Sequence, residues 1–191
     1  MIDAALAHIA GQLNLALRRA QGGVQEDMVV LANPVDLQGR VADNVSNKLM
    51  LFLVNIERET LAYRDSSRGA GPGRDVVGST PAHLNLSVMC AAHFEGANYA
   101  ESLKRIANAI AFFQGRPVFN HQNTPDLDPR INKLTLEIEN LDTASLSHLW
   151  GVLGGRYLPS VLYKVRMVTV DPGDVRAQPT RVAQPEVGVG A

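Results

Sequence analysis

Residues 83–94, HLNLSVMCAAHF, have the clearest strand pattern in the sequence. Apolar side chains begin at Leu84 and recur at every second position through Phe94, while His83, Asn85 and Ser87 begin the alternate, more polar set. A period of two matches the alternation of side chains between the two faces of a strand. We therefore expect one face of this strand to lie on a hydrophobic core and the other to carry partly exposed histidines.

Helices and further strands are predicted on both sides of this segment. Apolar residues have helical spacing at 2–17, 103–113 and 146–153. The remaining strands are predicted at residues 28–32, 48–61, 116–120, 133–139 and 161–170. Because the strands occur in neighbouring pairs, the pattern favours an α+β fold, in which a mixed, mainly antiparallel sheet is packed by about three helices.

The second helix has a predicted start and a predicted buried face. Asn98 and Glu101 have the spacing of a capping box, in which each side chain accepts a hydrogen bond from the other residue's backbone N–H. The expected buried face is formed by Leu103, Ile106, Ala107, Ile110 and Phe113.

Two segments are poor core formers. Tyr63–Thr80 contains glycines 69, 71, 73 and 78, which is typical of a long loop. After Asp171 the composition changes to small, polar and valine residues interrupted by prolines 172, 179 and 185. We therefore predict one domain over residues 1–171 and a flexible C-terminal tail over residues 172–191.

The composition excludes several classes of protein. Lys and Arg number 18 against 19 Asp and Glu, a formal net charge of −1, so a general nucleic-acid-binding role is not expected. The longest apolar run, Leu49–Val54, is far too short to span a bilayer, and no membrane partner is expected. The single cysteine, Cys90, excludes an internal disulfide and a cysteine-based structural zinc site.

No residue pattern predicts catalysis or a cofactor. Gly73, Gly78 and Ser79 have the glycine spacing of a phosphate-binding loop, but the lysine that such a loop requires before Ser79 is missing. His83 and His93 share a strand, where ten residues separate them by roughly 33 Å, too far to share an ion. Cys90 lies on the opposite face of the strand from His93, which favours a buried thiol over a nucleophilic pair.

A polar loop before the fifth predicted strand, residues 133–139, is rich in oxygen atoms. Asp126 and Asp128 lie in it with Asn120 and Asn123. The loop lacks the spacing of a calcium-binding helix-loop-helix, and its prolines favour a turn-rich connection. No catalytic, cofactor-binding or metal-binding residue is therefore predicted.

The segment at 84–94 and the run SLSHLWGVLGGRYLPSVLYKVRMVTVD, residues 145–171, resemble a known family. The sequence is similar to the tail-terminator or cap proteins of extracellular contractile injection systems, the phage-tail-like particles of the antifeeding-prophage and virulence-cassette type. The most specific part of the resemblance contains Trp150, Tyr157 and Pro159, which belong to no catalytic signature.

This resemblance implies a structural role and a set of partners. It implies a homo-hexameric ring at the end of the particle away from the baseplate, where the ring stops polymerisation of the inner tube and the contractile sheath and joins the two. It also implies synthesis in the bacterial cytoplasm and incorporation into a particle that is released. The alternatives are another component of the same particle, such as a baseplate adaptor or a tube-like subunit, and, less favoured, a nucleotide-binding enzyme.

Contacts between proteins in such a particle are expected from the loop, the tail and the segment before the last strand. We hypothesise that the loop Tyr63–Thr80 and the tail from Pro172 become ordered on assembly and reach a neighbouring subunit or the sheath. An unpaired strand edge is a further possible contact. The candidate contact residues are Arg64, Arg68, Arg74, Arg156, Tyr157, Arg176 and Arg181.

Overall fold

A computed structural model describes residues 1–20, 22, 26–35, 39–40, 42, 44–59, 77–78, 82–94, 96–154, 156–170 and 175–177, with only the backbone described at 77–78, 167–170 and 175–177. The helices are α1 (Ile2–Ala20), α2 (Tyr99–Gly115) and α3 (Thr143–Val152). The strands are β1 (Val29–Leu31), β2 (Lys48–Arg58), β3 (Val77–Gly78), β4 (Ala82–His93), β5 (Val118–Asn120), β6 (Lys133–Glu139), β7 (Ser160–Val170) and β8 (Val175–Ala177).

Six of these strands form one sheet in the order β1-β2-β4-β7-β6-β5. β1 and β2 are parallel, and every other neighbouring pair is antiparallel. The prediction of an α+β fold with a mixed, mainly antiparallel sheet is confirmed. The strand predicted from the alternating segment is confirmed as β4, and the structure places it between the long strands β2 and β7.

Helices α1 and α2 cover one side of the sheet, which we call the two-helix face. Its core joins apolar residues of both helices to alternate residues of the strands, including Leu86, Leu134 and Val165, none of which is exposed. The alternation in the sequence predicts these positions because side chains on one face of a strand recur at every second residue. Burial of each large side chain contributes about 1.5–3 kcal/mol to this core.

Helix α3 lies against the other side, which we call the one-helix face. Met50, Phe52, Met89 and Ala91 of the sheet pack there with Trp150 of the helix. Residues 49–52 are therefore buried on both faces of the sheet, with Leu49 and Leu51 in the core of the two-helix face.

The expected exposure of the second face of β4 is only partly correct. His83 and His93 are partly exposed, as predicted, but the residues between them on that face are buried. Asn85 is 5% exposed and Ser87 is 7% exposed. Asn85 donates to Glu59 and Ser87 donates to Glu139, whereas Met89 and Ala91 pack with Trp150 of α3. The pattern of one strand does not reveal these contacts with other segments of the chain.

The predicted details of α2 are wrong in two respects. Asn98 makes no side-chain capping hydrogen bond, because it ends a 3₁₀ turn, Gly96–Asn98, and has φ −93° and ψ 16° in place of the extended backbone typical of a cap. Glu101 instead pairs with Arg105 one turn later, at 2.6 Å. Leu103 and Ala107 are exposed because the buried stripe of α2 runs through Ser102, Ile106, Ala109 and Phe113.

The loop and the tail contribute one short pair of strands. β3 belongs to the predicted loop and pairs in antiparallel register with β8 of the predicted tail, Val77 opposite Ala177. Most of the loop and the tail lies outside the described residues, so the domain boundary at Asp171 stays a prediction. No helix in the described part of the chain is long and apolar enough to cross a membrane.

Candidate interaction surface

The start of α3 is fixed by a side-chain cap. Asp142, in extended backbone, accepts hydrogen bonds from the Ser145 N–H at 2.8 Å and from the Ser145 hydroxyl at 3.0 Å. These bonds stabilise the carboxylate and lower the pKa of Asp142. The helix is followed by Gly154, whose φ of +101° favours glycine. A Cβ atom at this position would also lie only 3.1 Å from Cγ1 of Val35, which is a tight contact.

Trp150 anchors α3 to the sheet. Its side chain is buried, and its ring meets the ring of Phe52 edge-on at a centroid distance of 6.5 Å. On the other side it meets Tyr157 at 6.1 Å and an interplanar angle of 74°. The Trp150 Nε1–H is buried without a hydrogen-bond partner among the described residues.

These two rings border a concave pocket of about 480 Å³, which we call the α3 pocket. Its lining consists of Thr143, Leu146, Ser147, Trp150, Gly151 and Tyr157. Tyr157 is 60% exposed, and Val152, which follows the lining residue Gly151 in α3, is 87% exposed. Large apolar groups in such positions are typical of a surface that another chain covers.

The remainder of the one-helix face is charged. Lys164 donates to Glu57 at 3.1 Å, and Arg166 lies 3.5 Å from Glu137 on the adjacent strand. Asn85 donates to Glu59 at 2.8 Å. This face therefore has an apolar part under α3 and a polar part beside it.

Both outer edges of the sheet are occupied by asparagine side chains. Asn14 of α1 donates to the Val29 carbonyl and accepts from the Val29 N–H, each at 2.9 Å, at the outer edge of β1. Asn123 donates to the Val118 carbonyl at 2.8 Å and accepts from the Asn120 N–H at 2.9 Å, at the outer edge of β5. These amides take hydrogen-bonding positions that an added strand would need, which disfavours edge-to-edge pairing there.

The candidate contact residues fall into three groups. Tyr157 lines the α3 pocket, and both Tyr157 and the preceding residue, Arg156, are exposed. Arg176 lies in β8, where only the backbone is described. Arg64, Arg68, Arg74 and Arg181 lie outside the described residues. The α3 pocket was not predicted. Helical spacing places Trp150 in the core, but it does not show that Tyr157, which lies after the helix, contacts the Trp150 ring.

Two of the groups considered in the sequence, Cys90 and Asp128, are buried or engaged with a neighbouring side chain. Cys90 is buried, as predicted, and burial raises the pKa of its thiol to about 12, which keeps the thiol protonated. Asp128, in the oxygen-rich loop, holds Arg130 through hydrogen bonds of 2.9 Å and 2.6 Å that lower the pKa of its carboxyl. In the described part of the chain, no three His, Cys, Asp or Glu side chains are grouped to hold a metal ion.

The phosphate-binding spacing considered above is only partly described. Val77 and Gly78 form β3, while Gly73 and Ser79 lie outside the described residues. A phosphate-binding loop requires a helix directly after it, and the next described element is β4.

The sequence matches one family model over residues 4–184, the Pvc16 N-terminal domain. The chain belongs to this family. The predicted resemblance to terminators of contractile injection systems is thereby confirmed at the level of the family. No protein of curated function matches the sequence.

Two solved structures share the fold of this family member. One is the PVC sheath/tube terminator of an extracellular contractile injection system in its extended state, with a TM-score of 0.59 and 16% identity. The other is the anti-feeding prophage cap, a tube-terminating cap, with a TM-score of 0.50 and 16% identity. Each match covers 94% of this chain, which spans 62% of the first structure and 59% of the second.

Proposed function

We propose that this protein is a structural terminator subunit of a contractile injection system. It caps the end of the particle away from the baseplate, stops polymerisation of the inner tube and the sheath, and joins the two. The observation that supports this most strongly is the family match over residues 4–184, together with the fold shared with a sheath/tube terminator. The protein acts by contact and not by turnover.

The surface chemistry supports a role in assembly. The α3 pocket with its exposed Tyr157, together with the exposed Val152 of α3, offers apolar area, and the charged part of the same face offers polar contacts. A stable interface buries about 1,600 Å² in total, and a closed ring requires two different patches that meet head to tail. The formal net charge of −1 avoids strong repulsion between packed copies.

Six copies form the proposed ring, and the tube and the sheath are its partners. Electron microscopy of particles assembled with a tagged chain tests this directly. We expect the label at the end away from the baseplate, in six copies for each particle. Particles assembled without the chain are expected to have tubes and sheaths of uncontrolled length. Label found only at the baseplate, or unchanged lengths without the chain, contradicts the terminator role and favours a baseplate adaptor or a tube-like subunit.

A further inference from the structure

A smaller cavity adjoins the α3 pocket on the one-helix face. Its volume is about 160 Å³, and Leu146 of α3 lines both cavities. Its lining combines apolar residues, among them Met89 and Leu162, with the polar residues Glu139 and Ser160. We call it the Glu139 pocket.

Two polar groups of the Glu139 pocket are poorly satisfied. The Ser160 Oγ atom is buried and has no hydrogen-bond partner among the described residues. Within the same part of the chain, the Glu139 carboxylate accepts one hydrogen bond, from the Ser87 hydroxyl at a long 3.4 Å. Because buried polar groups of native proteins are nearly always hydrogen-bonded, these oxygens favour an occupant that donates hydrogen bonds.

The charges around the pocket favour a positively charged donor. Lys164 and Arg166, the basic side chains of β7, pair with glutamates of β2 and β6 at 3.1 Å and 3.5 Å. In the described part of the chain they therefore leave Glu139 without a cation. Asp142 lies next to the lining residue Leu141 and adds a second carboxylate. A water molecule can satisfy the serine, but only a cation neutralises the glutamate.

The spacing of the acceptor oxygens fits an ammonium group. Glu139 lies opposite Leu162 in the register of β6 and β7, and Ser160 is two residues from Leu162 on the same face. Diagonal neighbours of this kind are about 7–8 Å apart, a gap that a group with N···O distances of about 2.8 Å can bridge. An ammonium has three donors, which match two carboxylate oxygens and one hydroxyl oxygen, whereas a guanidinium has five.

The apolar walls of the Glu139 pocket suit the remainder of a lysine side chain. Lysine buries its methylene stem along apolar surface and keeps its charge at the tip, and Met89, Leu146 and Leu162 offer such a surface. A cavity of about 160 Å³ is far larger than one water molecule needs. Asn140, which also lines the pocket, is exposed, so the pocket can be reached from solvent.

The neighbouring surface favours a lysine that belongs to a protein chain over a free amine. Because Leu146 lines both cavities, a chain with a lysine in the Glu139 pocket can place an adjacent apolar residue in the α3 pocket. There it would cover Tyr157, which is 60% exposed. A free amine would gain only the contacts of the smaller cavity.

We propose that the Glu139 pocket binds the lysine side chain of another protein chain. The ammonium pairs with Glu139 and donates to Ser160 Oγ, and the apolar residue beside the lysine packs in the α3 pocket. The inference rests on the proposed function only for the source of the lysine, which is then a neighbouring protein of the particle. Binding of the lysine itself does not depend on that function.

Chemical shifts of the isolated, ¹⁵N-labelled full chain test the pocket. The probe is Nα-acetyl-lysine N-methylamide. Its matched control is the norleucine compound, which keeps the straight apolar stem and lacks the ammonium. We expect the lysine compound to shift the amides of residues 139–141 and 160–162 saturably, and the norleucine compound to bind about tenfold more weakly.

Three variants locate the ammonium. Glu139→Gln keeps the shape of the side chain without its charge and should weaken binding of the lysine compound about tenfold, whereas Ser160→Ala should weaken it about threefold. Glu137→Gln, two residues away on the same strand, is the matched control and should bind like the wild type. The proposal is wrong if the lysine compound causes no saturable shift, if both compounds bind equally, or if both glutamine variants lose the same affinity.

Carbodiimide treatment of assembled particles identifies the source of the lysine, because the reagent condenses a carboxylate with an amine and takes up the water released. We expect a cross-linked peptide that joins Glu139 to a lysine of another chain and disappears with Glu139→Gln. If the lysine compound binds but particles that contain the protein give no such peptide, the protein source is overturned in favour of a free amine. Particles without the protein would instead contradict the terminator role, and binding of the lysine compound to the isolated chain would stand.

Discussion

The two faces of the sheet differ in how completely they are covered. Among the described residues, the core of the two-helix face contains 23 buried side chains and that of the one-helix face contains seven. Two long helices cover the first face, whereas α3, with ten residues, covers only part of the second. The first face supplies most of the stability of the fold, and the second leaves apolar and charged surface available for partners. Substitutions on the two faces should therefore have different consequences.

The largest loss of stability is expected on the two-helix face. Leu86 of the central strand is fully buried there. Leu86→Ala removes its contacts and leaves a cavity that a well-packed core fills poorly, so we expect a loss of about 4 kcal/mol in the free energy of unfolding. Urea denaturation measures it. Leu103→Ala, at a site that is 46% exposed, is the control and should cost less than about 0.5 kcal/mol.

A smaller loss is expected for the equivalent change on the one-helix face. Met89 is buried on the other side of the same strand, against α3. Because a single short helix can shift to fill part of the cavity, Met89→Ala should cost about 2.5 kcal/mol by the same measurement. The emission of Trp150 should change with it, since both residues belong to one cluster. A loss as large as that of Leu86→Ala would show that the two faces are equally rigid.

Loss of the α3 cap is expected to reduce stability less than either core substitution. Asp142→Ala removes the acceptor of two hydrogen bonds from Ser145, so the first turn of the helix loses its cap. We expect a lower unfolding midpoint, by less than for either core substitution, together with a change in Trp150 emission. Asp142→Asn keeps a capping oxygen and should retain most of the stability. Equal losses for the two variants would mean that the charge of Asp142 matters and its cap does not.

The smallest expected effect is the pH dependence of the two-helix face. Burial lowers the pKa of His8 below its usual value of 6.5, against the opposing influence of Asp126. Below about pH 6.5 the unfolded chain takes up a proton at this site more readily than the folded one, so stability falls as the pH drops toward the lower, folded pKa. Urea midpoints at about pH 7.5 and pH 5.5 measure this fall.

A variant without the ionisable ring separates His8 from other groups. His8→Gln should be less stable at the higher pH, because it loses the edge contact of the ring with Phe119 at 5.7 Å, but its midpoint should change less between the two pH values. An unchanged pH dependence would assign the effect to another group.

The elements that the sequence predicts well are those whose pattern is local. The alternation through 83–94 and the apolar spacing in 2–17 identify β4 and α1, because the side-chain period of a strand or a helix is set by its own backbone. The predicted capping box of α2 is wrong because Asn98 ends a 3₁₀ turn and does not cap the helix with its side chain. That turn depends on how the chain leaves β4, which no short-range spacing records.

The candidate interaction surface was predicted only in part. Tyr157 does line a concave apolar site and Arg156 precedes it in the chain, but their role as contacts stays a prediction. The pocket itself forms because the turn after α3 brings Tyr157 back to the ring of Trp150. The asparagines at the two sheet edges were missed because Asn14 and Asn123 belong to a helix and a turn, where the sequence gives no sign of a strand beside them.

By itself the sequence determined the α+β class, the strand at 83–94 and the family. The patterns of apolar residues specify which segments bury a face, and burial of apolar surface is the main drive to fold. Only the tertiary structure decided that α3 packs opposite α1 and α2, that β4 is buried on both sides and that a pocket lies beside Trp150. These features arise from contacts between segments far apart in the chain, whose relative positions depend on the packing of the whole sheet.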